Sequence, residues 1–435
     1  MNEKLPTGIN GFDHIAHGGL PKGRSTLVTG SAGSAKTLFA TQFLAMGIIK
    51  YNQPGVFVTF EETPADIRTN VKAFGWDIES WEKEGKWLFV DISPDLEHET
   101  FVHGEFELSA IIARIRHAVG QSKAQRLVMD SVAALFAQVE DARLVRRELF
   151  AIAAELKRLN LTSIITSERN EESEEISSYG VEEFVADNVV ILRNNLEQEK
   201  RRRTIEILKF RGAPHEKGEC PFTVLEKAGL AFIPLSFMEL TQASSTQRIR
   251  SGIQSLDKMC YGGFFRDSIV LISGATGTGK SLTVSHFVNG GAESGEKSMV
   301  FAFEESRDQL FRNATGWGMD FAKHEKSGNL FVQCKYPETA GLEEHLFWMQ
   351  NEIDRVKPNR VAIDSLSALE RISLPKAFRE FVLCMTAFLK EREIAGLFTA
   401  ATPALMGGES ITEAHISTIT DSIILLRYVE LNGEM

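Results

Sequence analysis

The chain has 435 residues, 43% of them hydrophobic and 25% charged, which is enough for about two to four domains with sizeable cores. Its formal net charge of −11 argues against a surface that attracts nucleic acid or anionic lipid as a whole, though not against a local basic groove. Cys220, Cys260, Cys334 and Cys384 form no C-x-x-C pair, the start "MNEKLPTG" has no apolar core, and no run is apolar enough to span a bilayer, so a soluble, reduced, cytoplasmic protein with no membrane partner is the expectation.

Taken in chain order, the first elements are "STLVTG", a β-branched run ending at Gly30, a short loop, and "KTLFATQFLAMGIIKY" with helical apolar spacing. Further strands are predicted at "GVFVTF", "WLFVDI", "RLVMD", "TSIITS" and "NVVILRN". Helices are predicted between them at "ELSAIIARIRHAVG" and "LVRRELFAIAAELKRLN". Strands alternating with helices imply a mainly parallel sheet flanked by helices, an α/β fold.

The pattern then repeats. "GINGFDHIAHGGLPKGRSTLVTGSAGSAKT" begins at Gly8, and "GIQSLDKMCYGGFFRDSIVLISGATGTGKS" begins 244 residues later at Gly252 without a gap. "VFVTFEE" returns as "MVFAFEE", "RLVMDSVAAL" as "RVAIDSLSAL", and "DNVVILR" as "DSIILLR". Ordered matches at so long a period mean two whole domains rather than a solenoid. Residues 1–240 and 241–435 are the expected domains, with polar "MELTQASSTQRIR" around the boundary as the linker.

Each copy carries a phosphate-loop pattern between strand and helix. In G-x-x-x-x-G-K-[ST] the glycines let backbone N–H groups converge on phosphate oxygens, the lysine adds charge near the β/γ-phosphates and the hydroxyl ligates Mg²⁺. The second copy meets every position with Gly274, Gly279, Lys280 and Ser281, and the expected phosphate-binding stretch also includes Thr276, Gly277, Thr278 and Leu282. The first keeps Gly30, Gly33, Lys36 and Thr37, with Ser31, Ser34 and Leu38 beside them, but carries Ala35 where the pattern has glycine. If that position needs positive φ, alanine is strained there; if it is helical, the methyl crowds the phosphate. Either way the expectation is a tolerated substitution with somewhat weaker binding.

Asp130 and Asp364 end matched hydrophobic strands and are the expected second members of the Mg²⁺ sites, with Thr37 and Ser281. The pairs Glu61–Glu62 and Glu304–Glu305 are expected to end the strand after each loop helix, where adjacent side chains point to opposite faces. One carboxylate of such a pair can serve as base for an attacking water or hydroxyl while its neighbour orients it or binds elsewhere.

These loops, together with "VFVTFEETP", "FAFEESR", "SYGVEEFVADNVVILRN", "LKFRG" and "ITEAHISTITDSIILLRYVE", resemble the KaiC family of circadian clock proteins, a branch of the RecA-like ATPases, over essentially the whole chain. The resemblance implies two tandem RecA-like P-loop NTPase domains and an ATP-dependent homohexamer of two stacked rings. It implies slow ATP hydrolysis in the first ring, and autophosphorylation and autodephosphorylation of Ser417 and Thr418 in the second. Glu304 would be the base for those hydroxyls and a neighbour of the metal. In the first copy Glu183 and Phe184 occupy the matched places, so acceptor chemistry is confined to the second domain. Lys209, Arg211 and His215 would reach the nucleotide of a neighbouring subunit, and Arg203 would touch nucleotide phosphate.

The resemblance also implies a KaiB-like partner on the first domain around His103 to Leu108. The chain ends before the family's tail for a KaiA-like partner, so the second domain reads as truncated. A RecA-like DNA motor and a nucleotide-gated scaffold without kinase activity are the competing readings; the acidic charge and the lack of a basic, aromatic-rich loop speak against the first.

Overall fold

A computed structural model describes residues 3–93, 105–136, 141–169, 185–197, 200–233, 244–402 and 418–429. The chain forms two compact units, Met1–Phe237 and Met238–Met435.

In the first unit, β1 (Ser25–Gly30) leads through the phosphate loop into α1 (Lys36–Tyr51). Then come β2 (Gly55–Thr59), β3 (Trp87–Asp91), α2 (Glu105–Ser122), β4 (Arg126–Asp130), α3 (Ala142–Arg158) and β5 (Thr162–Glu168). The unit closes with β6 (Asn188–Glu197), β7 (Lys200–Phe210), β8 (Glu219–Leu225) and β9 (Gly229–Phe232). The nine strands lie in the order β9-β8-β7-β6-β1-β5-β4-β2-β3. The six from β6 to β3 are parallel, and β7, β8 and β9 add antiparallel hairpins at one side, so the sheet is mixed at that edge.

Strand periodicity explains the layers. Leu27, Val56, Val58, Leu127 and Met129 enter one core with residues of α2 and α3. Their neighbours Val28, Phe57 and Val128 enter the opposite core with Phe39, Phe43 and Leu44 of α1. Both faces are covered, which is why these strands read as continuous apolar runs. Phe12 meets Phe39 edge-on at 5.1 Å, locking the segment before β1 onto the loop helix.

The second unit repeats the parallel part. It contains β10 (Ile269–Gly274), α4 (Lys280–Glu293), β11 (Ser298–Ala302), β12 (Leu330–Cys334), α5 (Leu342–Val356), β13 (Arg360–Asp364), α6 (Pro375–Glu391), β14 (Ala395–Ala401) and β15 (Ser422–Leu426). Its order, β12-β11-β13-β14-β10-β15, matches β3-β2-β4-β5-β1-β6 strand for strand. Each phosphate loop thus sits at the C-terminal edge of a central strand, where parallel α/β sheets bind ligands.

A buried arginine fixes this frame in each unit. Arg126, at the start of β4, donates to the carbonyls of Pro6 (2.7 Å) and Phe43 (3.0 Å) and to Gln53 Oε1 (2.8 Å). Arg360 makes the matched contacts with Arg250 O (2.5 Å) and Phe287 O (3.2 Å), but its Nε meets a carboxylate, Glu296, at 2.6 Å. A Cβ on Gly47 would stand 2.5 Å from Arg126, and one on Gly291 would stand 2.7 Å from Arg360, so the helix glycines make room for the guanidinium groups.

Candidate functional site

The loop geometry follows from the glycines. Gly33 and Gly277 have φ of 72° and 85°. Ala35 and Gly279, the N-cap residues of α1 and α4, are also left-handed, at φ 73° and 97°. Of the two conformations open for Ala35, the loop adopts the one that strains an alanine. A Cβ on Gly279 would meet nothing within 4 Å, so at that matched position protein atoms do not crowd a methyl. Neither N-cap supplies a side-chain acceptor to its helix, which leaves the first-turn N–H groups aimed into the loop.

Lys36 Nζ donates to Gly30 O (2.7 Å) and Ser31 O (3.0 Å), and Lys280 Nζ donates to Gly274 O and Ala275 O (both 2.8 Å). Burial pulls both lysines below their ordinary pKa; the carboxylates Glu168, Asp130 and Glu61 oppose this for Lys36, and Asp364 and Glu304 for Lys280.

Asp130 is buried under the loop and accepts hydrogen bonds from Thr166 and Thr37. Burial pushes its carboxyl upward against those bonds and Lys36. Asp364 accepts from Thr399 at 2.5 Å. Thr166 and Thr399 share a place on β5 and β14 that sequence reasoning missed, although "TSIITSE" and "AGLFTAA" align there. The peptide bonds Asp130–Ser131 and Asp364–Ser365 are both cis.

The glutamate pairs lie just past the strands rather than within them, since β2 ends at Thr59 and β11 at Ala302. The outer member of each is tied back by a helix: Asn70 donates to Glu62 at 3.0 Å, and Asn313 to Glu305 at 3.4 Å. The inner members, Glu61 and Glu304, are the ones whose charges reach the loop lysines. Burial, then Glu168 and Asp130, raises Glu61 above the usual carboxylate range. Burial likewise raises Glu62 and Glu305. Glu304 is held at both oxygens, by Ser365 Oγ (2.9 Å) and by Arg371 Nη2 (2.7 Å).

The remaining expected residues separate. Arg203 lies at the loop end of the sheet, its Nε on Gly33 O at 3.2 Å. Lys209 donates to Ala186 O (2.8 Å) and Arg211 faces Asp187 (3.9 Å), beside the start of β6 and so at the opposite end of the sheet from their own loop. His215 packs edge-on to Phe210 at 5.6 Å, and its pKa is lowered by burial. These three do not join the first unit's own site. Thr418 is exposed; Ser417, and positions 103 and 104 of the expected KaiB-like surface, lie outside the described residues.

Thr37 and Asp130 in the first unit are the residues that fit a phosphate-bound Mg²⁺, with Ser281 and Asp364 in the matched places of the second. No group of three or more His, Cys, Asp or Glu forms a protein-only metal site among the described residues. No helix among them is long and apolar enough to cross a membrane.

This geometry agrees with the comparisons. The KaiC ATPase family model matches residues 5–236 and again 249–435. The chain is 61% identical over 433 residues to circadian clock protein KaiC3 of Synechocystis sp., covering 100% of this chain and 86% of that protein. It is 55% identical over 433 residues to circadian clock oscillator protein KaiC of Thermostichus vulcanus, covering 100% of this chain and 83% of that one. Against the Synechococcus elongatus oscillator protein the identity is 55% over 432 residues, covering 99% of this chain and 83% of that protein. With the ATPase domain present twice and relatives matched along its whole length, the chain belongs to the KaiC family of circadian clock ATPases.

Proposed function

We propose that this protein hydrolyses ATP in its first domain and transfers phosphoryl groups from ATP to its own Ser417 and Thr418 in its second. The observation that carries this reading is one catalytic frame built twice, with hydroxyl acceptors only in the second copy. Gly30 to Leu38 and Gly274 to Leu282 would hold the triphosphates through backbone N–H groups, with Lys36 and Lys280 released from loop carbonyls to the phosphates. Thr37 with Asp130, and Ser281 with Asp364, would hold Mg²⁺, which would neutralise phosphate charge there. Glu61 would take the proton of water in the first domain, and Glu304 that of Ser417 or Thr418 in the second.

Lys209, Arg211 and His215 are remote from their own loop, which supports a role at the loop of an adjacent copy in a ring, the homohexamer of the family. A KaiB-like partner on the first domain around His103 to Leu108 belongs to the same reading. Incubation with Mg-ATP, phosphosite mass spectrometry and sizing tests it. Phosphate on Ser417 or Thr418 of a hexameric species is the expected result. Hexamers with neither residue modified would leave a nucleotide-gated scaffold, and salt-sensitive DNA binding that stimulates turnover would indicate a motor.

A further inference from the structure

The P-loop pattern leaves its fourth position unspecified, yet both copies place glycine there, Gly33 and Gly277. Two facts account for it: both residues have positive φ, and a side chain leaves little room for a Cβ on either, from β6 in the first unit and from just beyond β15 in the second. In β1 and β6 the register pairs Gly30 with Leu192, and in β10 and β15 it pairs Gly274 with Leu426. Two residues beyond those partners stand Asn194 and Tyr428. A Cβ on Gly33 would lie 3.1 Å from Asn194 Nδ2, and one on Gly277 would lie 2.6 Å from the Tyr428 hydroxyl.

Asn194 is 8% exposed and its amide oxygen is buried without a hydrogen-bond partner. Its cross-strand partner is Arg203, which holds Gly33 O from the same side. The Ser34 hydroxyl on this loop is also buried and unpartnered, whereas the matched Thr278 donates to Ala275 O at 2.7 Å. Tyr428 donates to Thr276 O at 3.5 Å. A buried amide with an unsatisfied acceptor lowers stability, so burial alone does not explain asparagine at this place.

We propose that Asn194 and Tyr428 are matched positioning residues of the two nucleotide sites, each bracing its phosphate loop at the central glycine so that the following N–H groups stay convergent on phosphate. The inference rests on the reading of these loops as nucleotide sites. The brace acts on the loop before any chemistry, so nucleotide affinity is the quantity that reads it.

The test uses the full chain with Lys280→Ala to silence the second site, and a fluorescent ADP analogue as probe. Asn194→Leu should weaken binding about five-fold or more while leaving the unfolding temperature of the nucleotide-free protein unchanged or higher, because the orphaned acceptor is gone. Tyr428→Ala on a Lys36→Ala background should do the same at the second site. Affinities within about two-fold of the parent overturn the proposal, as does a loss of affinity that comes with a matching loss of thermal stability. Lys36→Ala added to Lys280→Ala is the control: if binding survives it, the nucleotide reading of the loops has failed, not the brace.

Discussion

Ala35→Gly is the sharpest test of how the first site departs from the P-loop pattern. Ala35 sits at φ 73°, ψ 32°. The left-handed region costs a non-glycine residue about 1–2 kcal/mol. Glycine returns about 0.4–1 kcal/mol of that through the greater freedom of its unfolded chain. The net gain is therefore about 0–1.6 kcal/mol, and in a unit of this size about 1 kcal/mol moves Tm by about 2–4 °C. The same φ is present before nucleotide binds, so the strain is common to both sides of the binding equilibrium and cancels. The structure thus moves the expected handicap from affinity to stability. Calorimetry of the full chain should show the first unit unfolding at higher temperature, and titration with a fluorescent ADP analogue should give a Kd within about three-fold of the parent. Gly279→Ala should cost the second unit a similar amount by strain alone, since its methyl would meet open space. An Ala35→Gly protein that binds ten-fold tighter (about 1.4 kcal/mol) with an unmoved Tm would refute this reasoning and show that the methyl acts by crowding phosphate.

Three further outcomes follow from the site and its frame. Glu61 must be ionised to accept a proton and its pKa is raised, so first-domain ATP hydrolysis should fail on acidification at a pH above the ordinary carboxylate value of 4.5; a pH–rate profile of Glu304→Gln protein with its acid limb at or below that value contradicts the assignment. Gln53→Glu should give Arg126 the carboxylate that Glu296 gives Arg360, and stabilise the first unit by about 1 kcal/mol at neutral pH. That gain belongs to a carboxylate with a lowered folded pKa, so it is present above the unfolded value and should vanish as pH falls through the folded one; urea unfolding at neutral and acid pH checks both parts. Glu304→Gln should abolish phosphate incorporation at Ser417 and Thr418 while first-domain hydrolysis continues; mass spectrometry that finds full incorporation removes Glu304 as the base.

Much of the frame was legible because the chain states it twice. The bounds of the loop helix, Lys36–Tyr51, fall on the sequence reading, since the glycine loop marks its start and apolar spacing its length. What escaped was of two kinds. Asn194, Arg371 and Glu168 reach the site by register and by a turn between elements, and no local pattern announces a contact across strands. The conformation of Ala35 was open because a P-loop pattern gives residue types and not dihedrals. The repeat did hold a usable signal for Thr166 and Thr399: two hydroxyls at one place in aligned strands, each on the aspartate that ends a matched strand.

The two sites share a frame and differ in charge. Around Lys36 stand Glu61, Asp130 and Glu168, with Glu62 just beyond. The β1–β5 register sets Glu168 opposite Gly30, and the matched partner of Gly274 on β14 is Ala401, which carries no charge. In the second site Arg371 adds a cation directly on Glu304. The first site therefore has an additional anion, Glu168, and the second an additional cation, Arg371. An anionic ligand entering the first site needs positive charge from elsewhere, and Arg203, already on Gly33 O, is placed to supply it. In the second site the cation sits on Glu304, the proposed base. Glu304 already accepts one hydrogen bond at each oxygen, from Arg371 and from Ser365, whereas burial and the like charge beside Glu61 raise the pKa of Glu61. In the proposed roles, Glu61 would meet water amid carboxylates and Glu304 would meet a hydroxyl beside the Arg371 guanidinium.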